Sequence, residues 1–358
     1  MDLTVERRDL RDAVRRLIAK TQPDQSPWRR LCDEIGVPGL AIPERYGGAG
    51  TGLAEVCVVM EELGRSLTAS PMLGSAVLAA QAVLASGDSA ACERLLPAMA
   101  DGSAIAALAW ATPAGHWDLA ELGYDAREAD GRWELTGEAH YVLDGDTADV
   151  LLIAAGTPDG GTGLFEVDPY QNGVARTPVT TMDVARSLAV VRLTDALGCR
   201  IGGDAAGPLA FARDQACIAL SAEQVGASQR ALELTVSHLL TRVQFGQPIG
   251  SFQALQHRAA DLYILVESAQ SLSRAVAMAA DAPDGGLRDA AAKVYCSDVL
   301  TRTASEMIQL HGAIGVTWEH PAHHYLKRAH GGRYLFGSPA DHLATIAASL
   351  IDHRRVRE

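Results

Sequence analysis

The sequence predicts a mainly helical protein with a β-domain in its middle, and three observations carry that prediction. From residue 3 to about 104, apolar residues recur at three- and four-residue spacing; from about Ser103 to Pro208 the pattern changes to β-branched runs and two-residue alternation; from Leu209 onward the helical spacing returns. A chain of 358 residues with 48% apolar content can bury a large core and has the length for two or three domains. We divide it into residues 1–104, 105–208 and 209–358.

In the first region Leu10, Val14, Leu17 and Ile18 form one amphipathic stripe and Val56, Val59, Met60 and Leu63 another. Between them Pro43 and glycines 47, 48 and 50 mark a turn; no strand leads into it, so Gly48 and Gly50 do not read as a nucleotide-binding loop. In the second region WELTGEAHYVLDG, ADVLLIAAG, TGLFEVD and SLAVVRLTDA read as strands bounded by Gly, Asp and Asn turns. The third opens with the stripe Ile218, Ala222, Val225, Leu232, Val236 and Leu239. A second stripe follows at Phe252, Leu255, Ala259, Leu262, Val266, Ala269 and Leu272, and Ala290, Val294, Ser297, Ala304 and Met307 or Ile308 mark another helix face. DAPDGG at 281–286 is the one linker-like stretch, and no internal repeat is present.

A net charge of −13 argues against nucleic acid or an anionic membrane as partner. The six cysteines, at positions 32, 57, 92, 199, 217 and 296, show no CxxC and no paired spacing, which suits a reduced, cytoplasmic protein with packing cysteines. The N-terminal MDLTVERRDLRDAVRRL is charged and no apolar run reaches about 18 residues, so neither a signal peptide nor a membrane span is expected. In EHPAHH, Pro321 separates His320 from His323 and His324 and no acid-plus-His ligand spacing accompanies them, so no metal site is expected.

Between the first two helical stripes of the third region lies RVQFGQPIGSFQALQH, residues 242–257, where Gly246, Pro248 and Gly250 break the pattern. One helix should end near Arg242 and the next start near Ser251, leaving a cation at the corner of a helical hairpin. RVQFGQPIGSFQ resembles the hairpin signature of the acyl-CoA dehydrogenases, flavoenzymes that oxidise acyl-CoA thioesters to enoyl-CoA. GLAIPERYGG with EVCVVMEELGRS, and QLHGAIGVTWEHPAHHYLKRA at 309–329, are similar to the same family, so the resemblance covers nearly the whole chain. It implies an N-terminal α-helical domain, a β-barrel-like middle domain and a C-terminal four-helix bundle. It also implies FAD as cofactor, with Arg242, Phe245 and Gln253 reaching across a subunit interface to the pyrophosphate and adenine of a neighbour's FAD, as a bidentate guanidinium suits. Gln309, Gly312 and Gly315 would lie beside that pyrophosphate, where glycine lets backbone N–H groups approach; a helix C-cap with a glycine turn accounts for the same residues.

The chemistry implied by the resemblance needs a carboxylate to remove the α-proton while flavin N5 accepts the β-hydride. The family's usual base lies in Y-E-G-T; here YLFGSPADH puts Phe336 in its place. The alternative position, on the helix that ends at Arg242, is Ala216, followed by Cys217. Asp214, Glu223 and Glu319 remain as candidate carboxylates, each also readable as a helix-end or surface acid. The flavin-lining segment T-E-P-x-(A/S)-G-S-D reads ATPAGHWD, with Ala111, His116 and Trp117 replacing Thr, Gly and Ser; the W-I-T segment is Tyr141, Val142 and Leu143. Loss of the hydroxyl removes a hydrogen bond, and Trp in place of Ser crowds the phosphate approach.

Sorted by the subunit they would serve, the groups lent to a neighbour are present and those that hold a subunit's own flavin are replaced. The resemblance therefore implies a subunit of a heteromeric α2β2 acyl-CoA dehydrogenase, a branch that acts on steroid side-chain CoA esters, with a degenerate site of its own and a second dehydrogenase-type chain as partner. The alternatives are a homo-oligomer with a relocated base, or a flavoprotein of other chemistry such as oxidation by O2.

Overall fold

The computed structural model describes residues 3–21, 26–280 and 285–355. Of the linker expected at 281–286, residues 281–284 lie outside the described residues, and Gly285 opens a helix.

Helices α1 (Val5–Lys20), α2 (Trp28–Ile35), α3 (Leu53–Arg65), α4 (Ala80–Ala85) and α5 (Ser89–Ala100) build the N-terminal layer, with a π-helical stretch, Met72–Ala79, leading into α4. Thr4 and Asp88 cap α1 and α5 by accepting N–H bonds from Arg7 (3.4 Å) and Ala91 (3.0 Å). The glycine-rich stretch is a compact turn; a Cβ on Gly48 would stand 2.0 Å from the Ile42 carbonyl oxygen.

The middle of the chain is a barrel. Strands β1 (Ala106–Ala109), β2 (Tyr124–Ala129), β3 (Arg132–Leu143), β4 (Val150–Gly156), β5 (Thr162–Val167), β6 (Val174–Pro178) and β7 (Leu188–Ile201) pair so that β2, β3, β7, β5 and β4 close on themselves, with β1 added to β4 and β6 to β7. The expected strands are β3, β4, β5 and β7. The sequence reading missed β1, whose AALA carries no β-branched residue, β2, whose YDAREA is half charged, and β6, which is short and ends in Pro.

After the barrel come α6 (Ala206–Thr241), α7 (Gln253–Met278), α8 (Gly285–His311), α9 (Ala322–Tyr334) and α10 (Pro339–Arg355). The 36-residue α6 is the spine, packed against α3, α7 and α8. It crosses α3 so closely that only glycine fits: a Cβ on Gly64 would lie 1.9 Å from the Glu223 carbonyl oxygen, and one on Gly226 1.8 Å from that of Glu61. The predicted stripe along α6 is buried except at Val236, which is 37% exposed. Among the described residues no helix is long and apolar enough to cross a membrane.

Candidate functional site

Two places bear on function, at opposite ends of the same helices. The first is a cavity of about 460 Å³ where the barrel's entry loop meets the early turns of α6 and α8 and the start of α10. The loop Thr112–His116 turns on itself, the Thr112 N–H donating to the His116 carbonyl (3.1 Å) and the Gly115 N–H to the Thr112 carbonyl (2.9 Å). That turn delivers Trp117, 8% exposed, against Trp110 and Phe336. Trp117 meets Trp110 edge-on at 5.0 Å between centroids and Phe336 edge-on at 5.3 Å, while Trp110 and Phe336 lie parallel at 6.4 Å. Phe336 is 1% exposed and has φ +62, a left-handed conformation that L-residues reach only when packing holds them there. Part of the holding comes from Lys293, fully buried, which donates to the carbonyls of Gly332 (3.2 Å) and Arg333 (2.9 Å) and so fixes the end of α9; burial lowers its pKa to about 8.

Acids line the same cavity: Asp118, Glu121, Asp214, Asp289 and Asp341, against Arg213. Burial raises the pKa of Asp214, whose carboxylate pairs with Arg213 at 3.1 Å. Asp289 is pushed up to about 7 by burial and by the neighbouring charge of Asp214. His342, its Nε2 buried without a partner, is pushed down to about 4 by burial, with Lys293 and Arg213 adding to the shift.

The other candidate carboxylates are placed differently. Glu223 is buried and accepts from Arg186 at 2.7 and 2.6 Å and from Arg328, which also binds Asp183. Burial raises its pKa, but the two guanidiniums outweigh burial and hold it below the usual range, so it is an ion-network member and not a free base. Glu319 is exposed ahead of α9, whose 13 residues separate it from Phe336 by roughly 20 Å. Ala216 is buried and carries no chemistry. A second cleft, about 580 Å³, runs between the π-helical stretch, Leu143 and Glu223. It presents Asp144, which sequence reasoning missed, raised to about 7 mainly by burial.

The second place is the far end of the bundle. After α6, Val243–Gln244 and Gln247–Pro248 form a two-residue hairpin turning on Phe245 (φ +52) and Gly246 (φ +78). Phe245 is 90% exposed, and Arg242 is exposed with no ion pair among the described residues. Gln253 is the exposed first residue of α7. Gln309 is exposed in the last turn of α8, and Gly312, φ +66, ends that helix in the left-handed form of a C-cap. Gly315 is buried, with a Cβ there falling 2.9 Å from the Ile308 carbonyl oxygen. His238, His311 and His320 stack at 4.4 and 4.3 Å, joining the end of α6 to the end of α8 and thus the Arg242 corner to the Gly312 turn. His323 and His324 pack on Trp318 instead, and among the described residues no set of three metal-ligating side chains converges. From Asp289 to Gly312 the chain climbs α8 by about 35 Å, which separates the cavity from this corner.

Of these features, Trp110, Arg213, Asp289, Lys293 and His342 left no signal in the sequence as site residues.

Residues 4–103 match the acyl-CoA dehydrogenase N-terminal domain and residues 212–351 the acyl-CoA dehydrogenase C-terminal domain. The chain is 37% identical to acyl-CoA dehydrogenase IpdE2 of Mycobacterium tuberculosis over 96% of this chain and 97% of that one. Among solved structures it is similar to the Tcur3481-Tcur3483 steroid ACAD, at 30% identity and TM-score 0.88 over 98% of this chain and 99% of that one. It is likewise similar to the ChsE4-ChsE5 complex of Mycobacterium tuberculosis, at 28% identity and TM-score 0.88 with the same coverage. A helical N-terminal domain, a central barrel and C-terminal helices, matched along almost their whole length, make this chain a member of the acyl-CoA dehydrogenase family.

Proposed function

We propose that the chain is the non-catalytic subunit of a cytoplasmic heterotetrameric acyl-CoA dehydrogenase and completes the FAD site of a second, catalytically complete subunit. The groups it contributes are Arg242, Phe245, Gln253, Gln309, Gly312 and Gly315. The observation that carries this reading is the opposite state of the two ends. Trp110, Trp117 and Phe336 fill the own-flavin region with rings, and the adjoining cavity sets five carboxyls against one guanidinium. A pyrophosphate does not fit those surroundings, because its negative charge would meet five carboxyls against one guanidinium.

The corner does fit an anionic cofactor: an exposed guanidinium without an ion pair, the N-terminus of α7 at Gln253, and a glycine turn whose backbone is open. Because about 35 Å separates corner from cavity, the corner would act on a neighbour's cofactor. FAD would supply the electron acceptor for acyl-CoA oxidation, while this chain's residues only bind and orient it. IpdE2 supports a CoA-thioester substrate, the steroid ACAD suggests a steroid-derived acyl group, and the two-subunit ChsE4-ChsE5 complex supports a second dehydrogenase-type partner.

A second reading rests on Asp144. Its carboxyl accepts no hydrogen bond among the described residues, faces the 580 Å³ cleft beside Leu143, and has the pKa of a competent general base. One set of preparations separates the two readings. The heteromer reading expects the chain purified alone to lack the visible flavin band and to gain it on co-expression with a complete acyl-CoA dehydrogenase subunit of the same organism. Stoichiometric FAD surviving gel filtration of the chain alone, with dye reduction by an acyl-CoA that Asp144→Asn abolishes, would establish the relocated base instead.

A further inference from the structure

We infer that the cavity beneath Trp117 and Phe336 is a binding site for an organic cation, a guanidinium or alkylammonium group on a short apolar stem. The inference rests on the reading that this pocket holds no flavin of its own, and it gives the pocket an occupant.

Most charged groups around the cavity already have partners. Arg213 pairs with Asp214 at 3.1 Å, His116 with Glu121 at 2.9 Å, and Asp341 accepts from the Ser338 N–H and hydroxyl at 2.8 Å each. Asp289 is left. It is 4% exposed, lines the cavity, and accepts no hydrogen bond among the described residues. A carboxyl removed from water without a donor is unfavourable by several kcal/mol when ionised. Asp214, a second acid, acts against its charge and Arg288, its neighbour in the chain, acts in favour of it, but among the described residues no side chain donates to it. A cation entering between Asp214 and Asp289 would supply the missing donors and offset their mutual repulsion. Asp118 and Glu121, both exposed and cavity-lining, add negative potential that draws cations in and turns anions away.

The rest of the lining suits the remainder of such a ligand. Trp117 and Phe336 provide an aromatic wall, to which guanidinium and ammonium groups and their methylene stems adhere. A volume of about 460 Å³ has room for a diamine-sized molecule or for the end of an arginine or lysine side chain. Two sources can therefore supply the same chemistry: a free polyamine, or a basic side chain of the neighbouring subunit.

Agmatine, which carries a guanidinium and an ammonium on a four-carbon stem, is the probe. Calorimetric titration of the full chain should show saturable binding. Asp289→Asn should weaken it by about tenfold or more, the loss of one charge-assisted contact. Asp118→Asn, at the exposed rim, keeps the test open should Asp289→Asn fold poorly, and should weaken binding by a smaller factor. Inorganic pyrophosphate at matched ionic strength should give no heat.

Repeating the titration on the assembled complex identifies the source. Loss of agmatine binding on assembly means that a partner side chain fills the site, and retained binding means a free cation. No binding to the chain alone, agmatine binding indifferent to both substitutions, or competition by pyrophosphate would overturn the inference. Flavin content, read by absorbance on the same samples, tests the heteromer reading separately.

Discussion

The cavity under Phe336 and the corner at Arg242 are made from the same two long helices, yet they obey opposite rules. At the cavity end the rings of Trp110, Trp117 and Phe336 interlock, and Lys293 ties down the last turn of α9. At the corner Phe245 stands almost wholly in solvent in a left-handed conformation, and Leu240, Val243, Val316 and Trp318 are also more than half exposed. An end that is closed upon itself has little left to offer a ligand of the family's kind. An end that leaves rings, a guanidinium and helix termini uncovered is shaped for a neighbour. The difference teaches that one pair of helices can be covered with rings at one end and left uncovered at the other, so the two ends can be altered separately.

The largest expected effect is between the two ends, in the buried ion network midway along α6. Glu223→Gln would leave Arg186 and Arg328 buried beside one another with only Asp183 to answer them, which should destabilise the chain by about 3–5 kcal/mol in urea unfolding. A loss under about 1 kcal/mol, the scale of surface pairs, would show that water reaches the network.

Next in size is the pH response of His342. Its folded pKa of about 4 lies below the ordinary value near 6.5, so the unfolded chain takes up the proton first. The contribution of the neutral ring is fully present above pH 6.5 and is lost as pH falls from 6.5 to 4, by at most about 3 kcal/mol. Stability of His342→Gln measured across that window should fall less steeply than that of the wild type. Equal slopes would mean that His342 stays hydrated in solution.

How much of this contrast could be read from the sequence depends on whether a feature is local. The corner was legible because it is a run of adjacent residues: Gly246, Pro248 and Gly250 stop one helix and start another, and the structure turns there. That a Phe stands at 336 was legible too, at a single position, and the structure buries its ring. What filled the space was not. Asp289 and Lys293 come from α8, Asp214 from α6 and His342 from α10, and nothing in their local patterns distinguishes them from ordinary helix residues. Glu223, one of the candidate bases by sequence, is disqualified only by Arg186 and Arg328, which lie 37 and 105 residues away along the chain. The helical halves were likewise easier to read than β1 and β6, whose strand character comes from barrel neighbours and not from their own side chains.

On the open side, Arg242→Ala should lower the FAD affinity of the assembled complex by about one to two decades, the worth of a charge-assisted phosphate contact. Thermal stability of the isolated chain should be unchanged, because the side chain makes no ion pair among the described residues. Unchanged flavin occupancy at limiting FAD would return Arg242 to the status of a solvated loop residue.

The smallest effect is expected where a complete enzyme would show the largest. On the proposed reading Phe336 stands where the family's base would be, and a ring cannot take a proton. Phe336→Leu keeps most of the buried volume, so the assembled enzyme should retain its kcat and its preference among acyl chains of different length. Phe336→Glu should add no second activity, since Ala111, Trp117 and Leu143 still stand where the flavin contacts would be, and a base without an oriented electron acceptor has nothing to couple its proton transfer to. Were this pocket an acyl site with a base of its own, such as Asp214 on its wall, the ring at 336 would instead line it, and Phe336→Leu would shift KM or chain-length selectivity. Steady-state kinetics of the Phe336→Leu complex over a series of acyl-CoA lengths therefore decides between the two ends of the comparison: flat selectivity leaves the closed pocket closed, and a clear shift in selectivity opens it.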